Sequence, residues 1–201
     1  RGVIGVNYKP EDLKWGLWET IETRAFPGSV SNHHLGTLLG QLMAAYEMNA
    51  FKDEYQKAVV ENAKHFAKCL AAEGLDVAGD PAMDYTETHQ VIVKVGYAHG
   101  PEVADRLEAN NIVCNYQATP EEEGFSASGA LRMGVNEMAR FGFGKEDFAK
   151  LAHLIADCVL HHANVKEEVK KLRAEHLEMK YCFSDKDTEE LLNAFASATG
   201  I

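Results

Sequence analysis

The chain has 201 residues, 46% apolar and 25% charged, a balance suited to one globular domain, or one with part of another, and not to disorder. Lys and Arg number 20 against 31 Asp and Glu, a net charge of −11 with no basic block, which speaks against nucleic acid or an anionic membrane as partner. No apolar run approaches the roughly 18–20 residues of a membrane span, and no basic stretch leads into an apolar core as in a secretory signal.

The elements follow in chain order. Residues 2–6, Gly-Val-Ile-Gly-Val, read as a short buried strand stopped near Pro10. A chain that opens on Arg1 and enters such a run at once is expected to be the C-terminal piece of a longer protein. A helix is expected over 10–23, then a loop over 25–31 around Pro27-Gly28. Ser31 or Asn32 caps a strongly apolar helix that ends near Met48, with Leu35, Leu38, Leu39, Leu42 and Tyr46 at helical spacing and close packing expected on more than one side. A further helix covers 52–72 and ends at Gly74. The pattern then turns mixed. Strands are expected at 75–78, 89–95, 112–115 and 130–134, with a helix over 101–110 and a polar loop over 117–128. The segment 136–142 reads as a short helix with a glycine stop, and helices follow over 144–162, 165–180 and 186–198. A mostly helical first third thus precedes a mixed unit, with a soft boundary inside the 52–72 helix.

Four constellations carry chemistry or its absence. Residues 26–34 lead a polar loop into a helix N-terminus, where free backbone N–H groups suit an anion and equally suit an ordinary cap. His33 and His34 are adjacent, so their side chains point about 100° apart on a helix and chelate one ion poorly; no metal site is expected. Arg132 lies in the apolar strand Ser128-Gly129-Ala130-Leu131-Arg132-Met133-Gly134, where its charge needs a partner. That partner is either a substrate carboxylate held bidentately or a protein carboxylate in a structural ion pair. The cysteines, Cys69, Cys114, Cys158 and Cys182, are scattered without a C-x-x-C pair and read as reduced thiols of a cytoplasmic protein. No nucleophile–base pair can be read from the His and Cys spacings.

Taken in order, these segments resemble serine hydroxymethyltransferase, a pyridoxal-phosphate (PLP) family of the aspartate-aminotransferase fold type. Arg1-Gly2-Val3-Ile4 is similar to the R-G-G-hydrophobic strand that follows the family's cofactor lysine. Ala25-Phe26-Pro27-Gly28 resembles its F-P-G, and His89-Gln90-Val91-Ile92-Val93 its D-N-H-hydrophobic strand. Ser128 to Gly134, followed by Arg140-Phe141-Gly142-Phe143 and Glu146-Asp147-Phe148, resembles S-G-(I/L)-R-(I/L)-G, then R-x-G-(F/M), then an acidic pair before an apolar residue. The resemblance covers about residues 1–158.

The resemblance implies an α/β parent fold, PLP-dependent transferase fold type I. Residues 1–60 would end its PLP-binding large domain, and residues 61–201 would form an α+β C-terminal small domain. Arg132 matches the arginine that binds the substrate α-carboxylate. Ser31 and Asn32 lie where backbone binds the phosphate of PLP held by the neighbouring subunit, so a homodimer or higher oligomer with shared active sites is implied. Gln117 lies near an asparagine implicated in folate contact. The implied cofactor is PLP, with tetrahydrofolate as co-substrate and a small amino acid as substrate. The family lysine falls upstream of Arg1, and Lys9 and Lys14 have the wrong context, so this chain alone is expected to be inactive. Ser29-Val30-Ser31-Asn32 replaces G-Q-G-G, and Ala130-Leu131 is one residue longer than usual. These departures keep two alternatives open: a folate-independent aldolase, racemase or lyase on another amino acid, and a non-catalytic dimerisation module.

Overall fold

The computed structural model describes residues 16–30, 32, 34–122 and 127–200. The strand expected over 2–6 and the start of the helix expected over 10–23 lie outside them. Two compact units divide the chain, residues 1–50 and 51–201.

In the first unit, α1 (Leu17–Thr23) runs into a wide turn, Arg24–Ser29, broken at Phe26, whose backbone is extended (φ −142°, ψ 126°). This matches the turn expected of Pro27-Gly28. The next helix, α2 (Leu35–Ala72), starts at Leu35, and the carbonyl of His34 accepts from Leu38 N–H at 3.1 Å. The cap position thus falls on His34, not on Asn32; Ser31 lies outside the described residues. The stretch of α2 in this unit buries none of its side chains: Leu35 is 69% exposed and Tyr46 50%. The close packing expected around them is not supplied by the described residues of this chain.

The two helices expected over 32–48 and 52–72 are one. No Gly or Pro stands between Met48 and Lys52, so nothing in Asn49-Ala50-Phe51 ends the ladder. Gly36 and Gly40 fall on exposed positions, where each costs only about 1 kcal/mol.

The second unit is built on the C-terminal half of α2, from which Tyr55, Val59, Ala63, Phe66, Ala67 and Leu70 enter the core. A four-stranded antiparallel sheet of order β1-β2-β4-β3 faces it: β1 (Asp76–Val77), β2 (Gln90–Lys94), β3 (Asn115–Gln117) and β4 (Ala130–Gly134). The helices are α3 (Gly100–Ala109), α4 (Asn136–Arg140), α5 (Lys145–His161), α6 (Lys166–Ala174) and α7 (Asp185–Thr199). Side chains alternate across the sheet. Val91, Val93, Leu131 and Met133 enter the core with Phe66 of α2 and Phe148 and Ile155 of α5. The rings of Phe66 and Phe148 lie 5.3 Å apart and those of Phe143 and Phe148 5.5 Å, tilted and edge-on as aromatic quadrupoles prefer.

Two further expectations move. The strand expected at 112–115 forms at 115–117 instead. Asn111 takes a positive φ of 64°, and Ile112 N–H closes the end of α3 on the Leu107 carbonyl at 2.9 Å, so the ladder starts three residues later. The helix expected over 165–180 ends at Ala174. There the chain turns back over the α4–α5 junction: the Arg173 guanidinium donates to the His176 carbonyl and lies 4.4 Å from the Phe141 ring, and Lys180 N–H donates to the Arg140 carbonyl at 2.6 Å. No helix of the described residues is long and apolar enough to cross a membrane.

Candidate functional site

β4 places Arg132 by parity. Leu131 and Met133 point into the core, so Ala130, Arg132 and Gly134 point away from it. Antiparallel partners share a face: Ile92 stands opposite Arg132 on β2 and Asn115 opposite it on β3, while Gln117 stands opposite Ala130 and Lys94 opposite Ala130 on the other side. Arg132 therefore has small neighbours along its own strand, and across it the apolar Ile92 on one side and the polar Asn115 on the other. The extra residue of Ala130-Leu131 leaves the pairing regular and Arg132 on the open face. Just before the strand, Gly129 is closely packed: an added Cβ there would stand 2.8 Å from the Gly96 carbonyl oxygen.

The Arg132 guanidinium forms no ion pair or hydrogen bond with another described residue. A cleft of about 760 Å³ opens at this end of the sheet, with Arg132, His89, Gln90, Asn115, Asn136 and Glu137 among its polar lining and Phe66, Met138 and Phe148 among its apolar lining. Cys114 also lines it, and burial pushes its thiol up to about 11, so it stays a neutral thiol at neutral pH. A half-buried, unpaired guanidinium on the open sheet face can receive an anion, since five donors in a planar fork match a carboxylate. Of the two partners open to Arg132, no described protein carboxylate is one.

Arg132 and Gln117 thus stand on one sheet face, one pairing step apart. Asn32 is exposed and belongs to the first unit, and Ser31 lies outside the described residues. Asn115, the last residue of the strand expected at 112–115, was not singled out by the sequence, and the ladder sets it opposite Arg132.

One group of three metal-ligating side chains, Asp147, Glu175 and His176, brings ligand atoms within 4.8 Å of one another among the described residues. Asp147 already accepts from Gly144 N–H at 3.0 Å as the cap of α5, and its other oxygen lies 3.3 Å from His176 Nε2. His176 in turn stacks on Phe143 with centroids 4.5 Å apart. The group is accounted for as the fastening of the 175–181 segment to the α5 N-terminus.

A family model, serine hydroxymethyltransferase, matches residues 1–155. The chain is 37% identical over 177 residues to serine hydroxymethyltransferase of Sulfolobus acidocaldarius, covering 85% of this chain and 41% of that one. It is 36% identical over 176 residues to that of Korarchaeum cryptofilum, covering 84% and 40%. The crystal structure of L-threonine transaldolase from Pseudomonas fluorescens superposes with a TM-score of 0.76 at 28% identity, covering 96% of this chain and 43% of that one. That likeness bears out the expected fold class, a PLP-dependent transferase fold of type I, here with helices and a small antiparallel sheet. The chain spans about two-fifths of the length of these relatives. Matched over more than half its length, the chain belongs to the serine hydroxymethyltransferase family.

Proposed function

We propose that this chain is the C-terminal part of a PLP-dependent enzyme that interconverts serine and glycine with a folate one-carbon acceptor, and that Arg132 receives the α-carboxylate of the amino acid. The observation that carries this reading is the unpaired Arg132 on the open sheet face, in the one segment that best matches the family motif. Residues 1–60 end the PLP-binding large domain in this reading, and residues 61–201 form the small domain.

Family membership makes PLP the cofactor, and the residues present suit it. Asn32 and Ser31 lie just ahead of a 38-residue helix, whose N-terminal end carries positive partial charge, and Gly36 in its first turn has open space where a Cβ would stand. These residues would serve the phosphate of the cofactor held by a neighbouring subunit, which makes the working form a homodimer or larger. PLP when bound supplies an electron sink at the amino-acid Cα. What this chain does is orient: a bidentate grip on the carboxylate fixes the rotation of the amino acid about Cα and decides which bond is held ready to break. Gln117, one pairing step from Arg132, would meet the folate. A cytoplasmic location fits the scattered thiols.

A second reading has an observation of its own. The likeness to L-threonine transaldolase, with the extra residue before Arg132, favours a folate-independent enzyme that takes an aldehyde instead. Serine cleavage that requires tetrahydrofolate supports the first reading; side-chain exchange with an added aldehyde and no folate supports the second.

Both need Arg132. In the intact protein, Arg132→Lys keeps the charge but loses the fork, and the KM for the amino acid is expected to rise roughly 10- to 100-fold, the worth of one or two charge-assisted hydrogen bonds. An unchanged KM in steady-state assays would remove Arg132 from the site and the reading with it.

A further inference from the structure

We propose that Glu122 is a positioning residue of this site, a carboxylate pin that holds the edge strand β3 in place and so keeps Asn115 and Gln117 beside Arg132. The proposal rests on the reading of Arg132 given above.

β3 needs such a pin. It has three residues at the sheet edge and, among the described residues, pairs only with β4. Tyr116, at its centre, is 44% exposed, so burial adds little to hold it. A three-residue edge strand with one partner is marginal by itself. Two residues past its end, Thr119 N–H donates to Glu122 Oε2 at 2.6 Å. The same oxygen accepts from Gly129 N–H, one residue ahead of β4, at 3.1 Å. One carboxylate oxygen therefore ties the exit of β3 to the entrance of β4. Hydrogen bonds to an ionised acceptor are roughly twice as strong as neutral ones.

The far end of the pin is fixed in its turn. The Gly129 carbonyl accepts from Val95 N–H at 2.8 Å, just after β2, and the Ser128 carbonyl accepts from Gly100 N–H at 2.8 Å, at the start of α3. An added Cβ at Gly129 would overlap the second oxygen of Glu122, so the carboxylate fills the space that glycine leaves. Beside it, Glu121 reaches Lys94 at 3.5 Å, but that pair is exposed on both sides and holds little.

The pin is separable from the core. Val91, Val93, Leu131 and Met133 pack on the opposite face and are contributed by β2 and β4 alone. Releasing β3 opens the Arg132 face and leaves the core closed, because local opening follows the least buried element.

Three variants of the intact protein test this: Glu122→Ala, Glu122→Asp and Glu122→Gln, with Arg132→Lys as the control. Glu122→Ala is expected to raise the KM for the substrates roughly tenfold, as misplacement by a fraction of an ångström does, with the thermal midpoint nearly unmoved. Glu122→Asp, one methylene short of spanning both amides, should behave like Ala. Glu122→Gln keeps an acceptor oxygen and should recover most of the loss. Amide exchange at Thr119 and Gly129 should speed up in Ala and Asp and not in Gln. A KM that stays flat in Ala and Asp, while Arg132→Lys raises it, overturns the pin and leaves the reading of Arg132 standing. Arg132→Lys without effect overturns the reading, and the pin as part of a substrate site with it. Global unfolding of both Ala and Asp would show a part of the core and overturn the pin as well.

Discussion

His153 shows how one side chain can make a fastening depend on pH. Its Nδ1 lies 3.2 Å from Glu73 Oε2, just past the end of α2, and its Nε2 lies 3.6 Å from Asp157 Oδ2, one turn along α5. The hydrogen bond to Glu73 comes first among the causes that raise its pKa, followed by the charges of Asp157 and Glu73. A raised folded-state pKa means that the folded chain holds the proton more tightly than the unfolded one. The fastening is therefore fully present below about pH 6.5, the ordinary histidine value, and is lost as pH rises through the raised one. His153 is 60% exposed, so solvent screens the effect and its size is small. A proton NMR titration should place the His153 midpoint above the ordinary histidine value, and Glu73→Gln should bring it back toward that value. A midpoint that ignores Glu73→Gln would show that the contact does not form in solution.

At the scale of elements, α2 and the turn after α4 are joined by one buried hydrogen bond. Asn62 Nδ2 donates to the Phe143 carbonyl at 2.9 Å, and Asn62 is 5% exposed. Tyr55 lies two turns earlier and donates to the Asn136 carbonyl at 3.0 Å. Asn62→Ala would leave a buried carbonyl without a partner, which is expected to cost about 2 kcal/mol in urea unfolding; a loss below about 0.5 kcal/mol would mean that water replaces the amide. Neither bond could be read from the sequence, because an asparagine in an amphipathic helix looks like a solvated position until its tertiary partner is known. What the sequence made legible were elements with local signals: β2 from its alternation, β4 to the residue from its apolar run and glycine stop, and α4 and α5 from glycine punctuation. β3 was misplaced because Ile112 spends its backbone on closing α3, a choice that depends on Asn111 adopting a positive φ. Arg132 was legible by motif, and the structure adds why it points outward. Glu122 was hidden inside an acidic run that reads as solvated loop, since a carboxylate that binds two backbone amides has no signature in residue type alone.

For the whole molecule, the division into two units has a consequence for stability. The first buried residue along the described chain is Tyr55, and every residue of the core cluster belongs to the second unit. Leu17, Trp18, Phe26, Leu35, Leu38 and Leu42, all of the first unit, are exposed, and in the proposed function the remainder of the large domain covers them. The energetic corollary is that the described residues of the first unit contribute little to the cooperative unfolding of this chain, because burial is the main favourable term in folding and none of them is buried. A chain of residues 51–201 should therefore unfold in one transition with a thermal midpoint within about 4 °C of the 201-residue chain, the shift that about 1 kcal/mol produces in a domain of this size. It should also associate less at high concentration, since the exposed leucines are gone. Loss of the cooperative transition on truncation would mean that the first unit supports the core after all, and that its apolar residues find their partners within this chain.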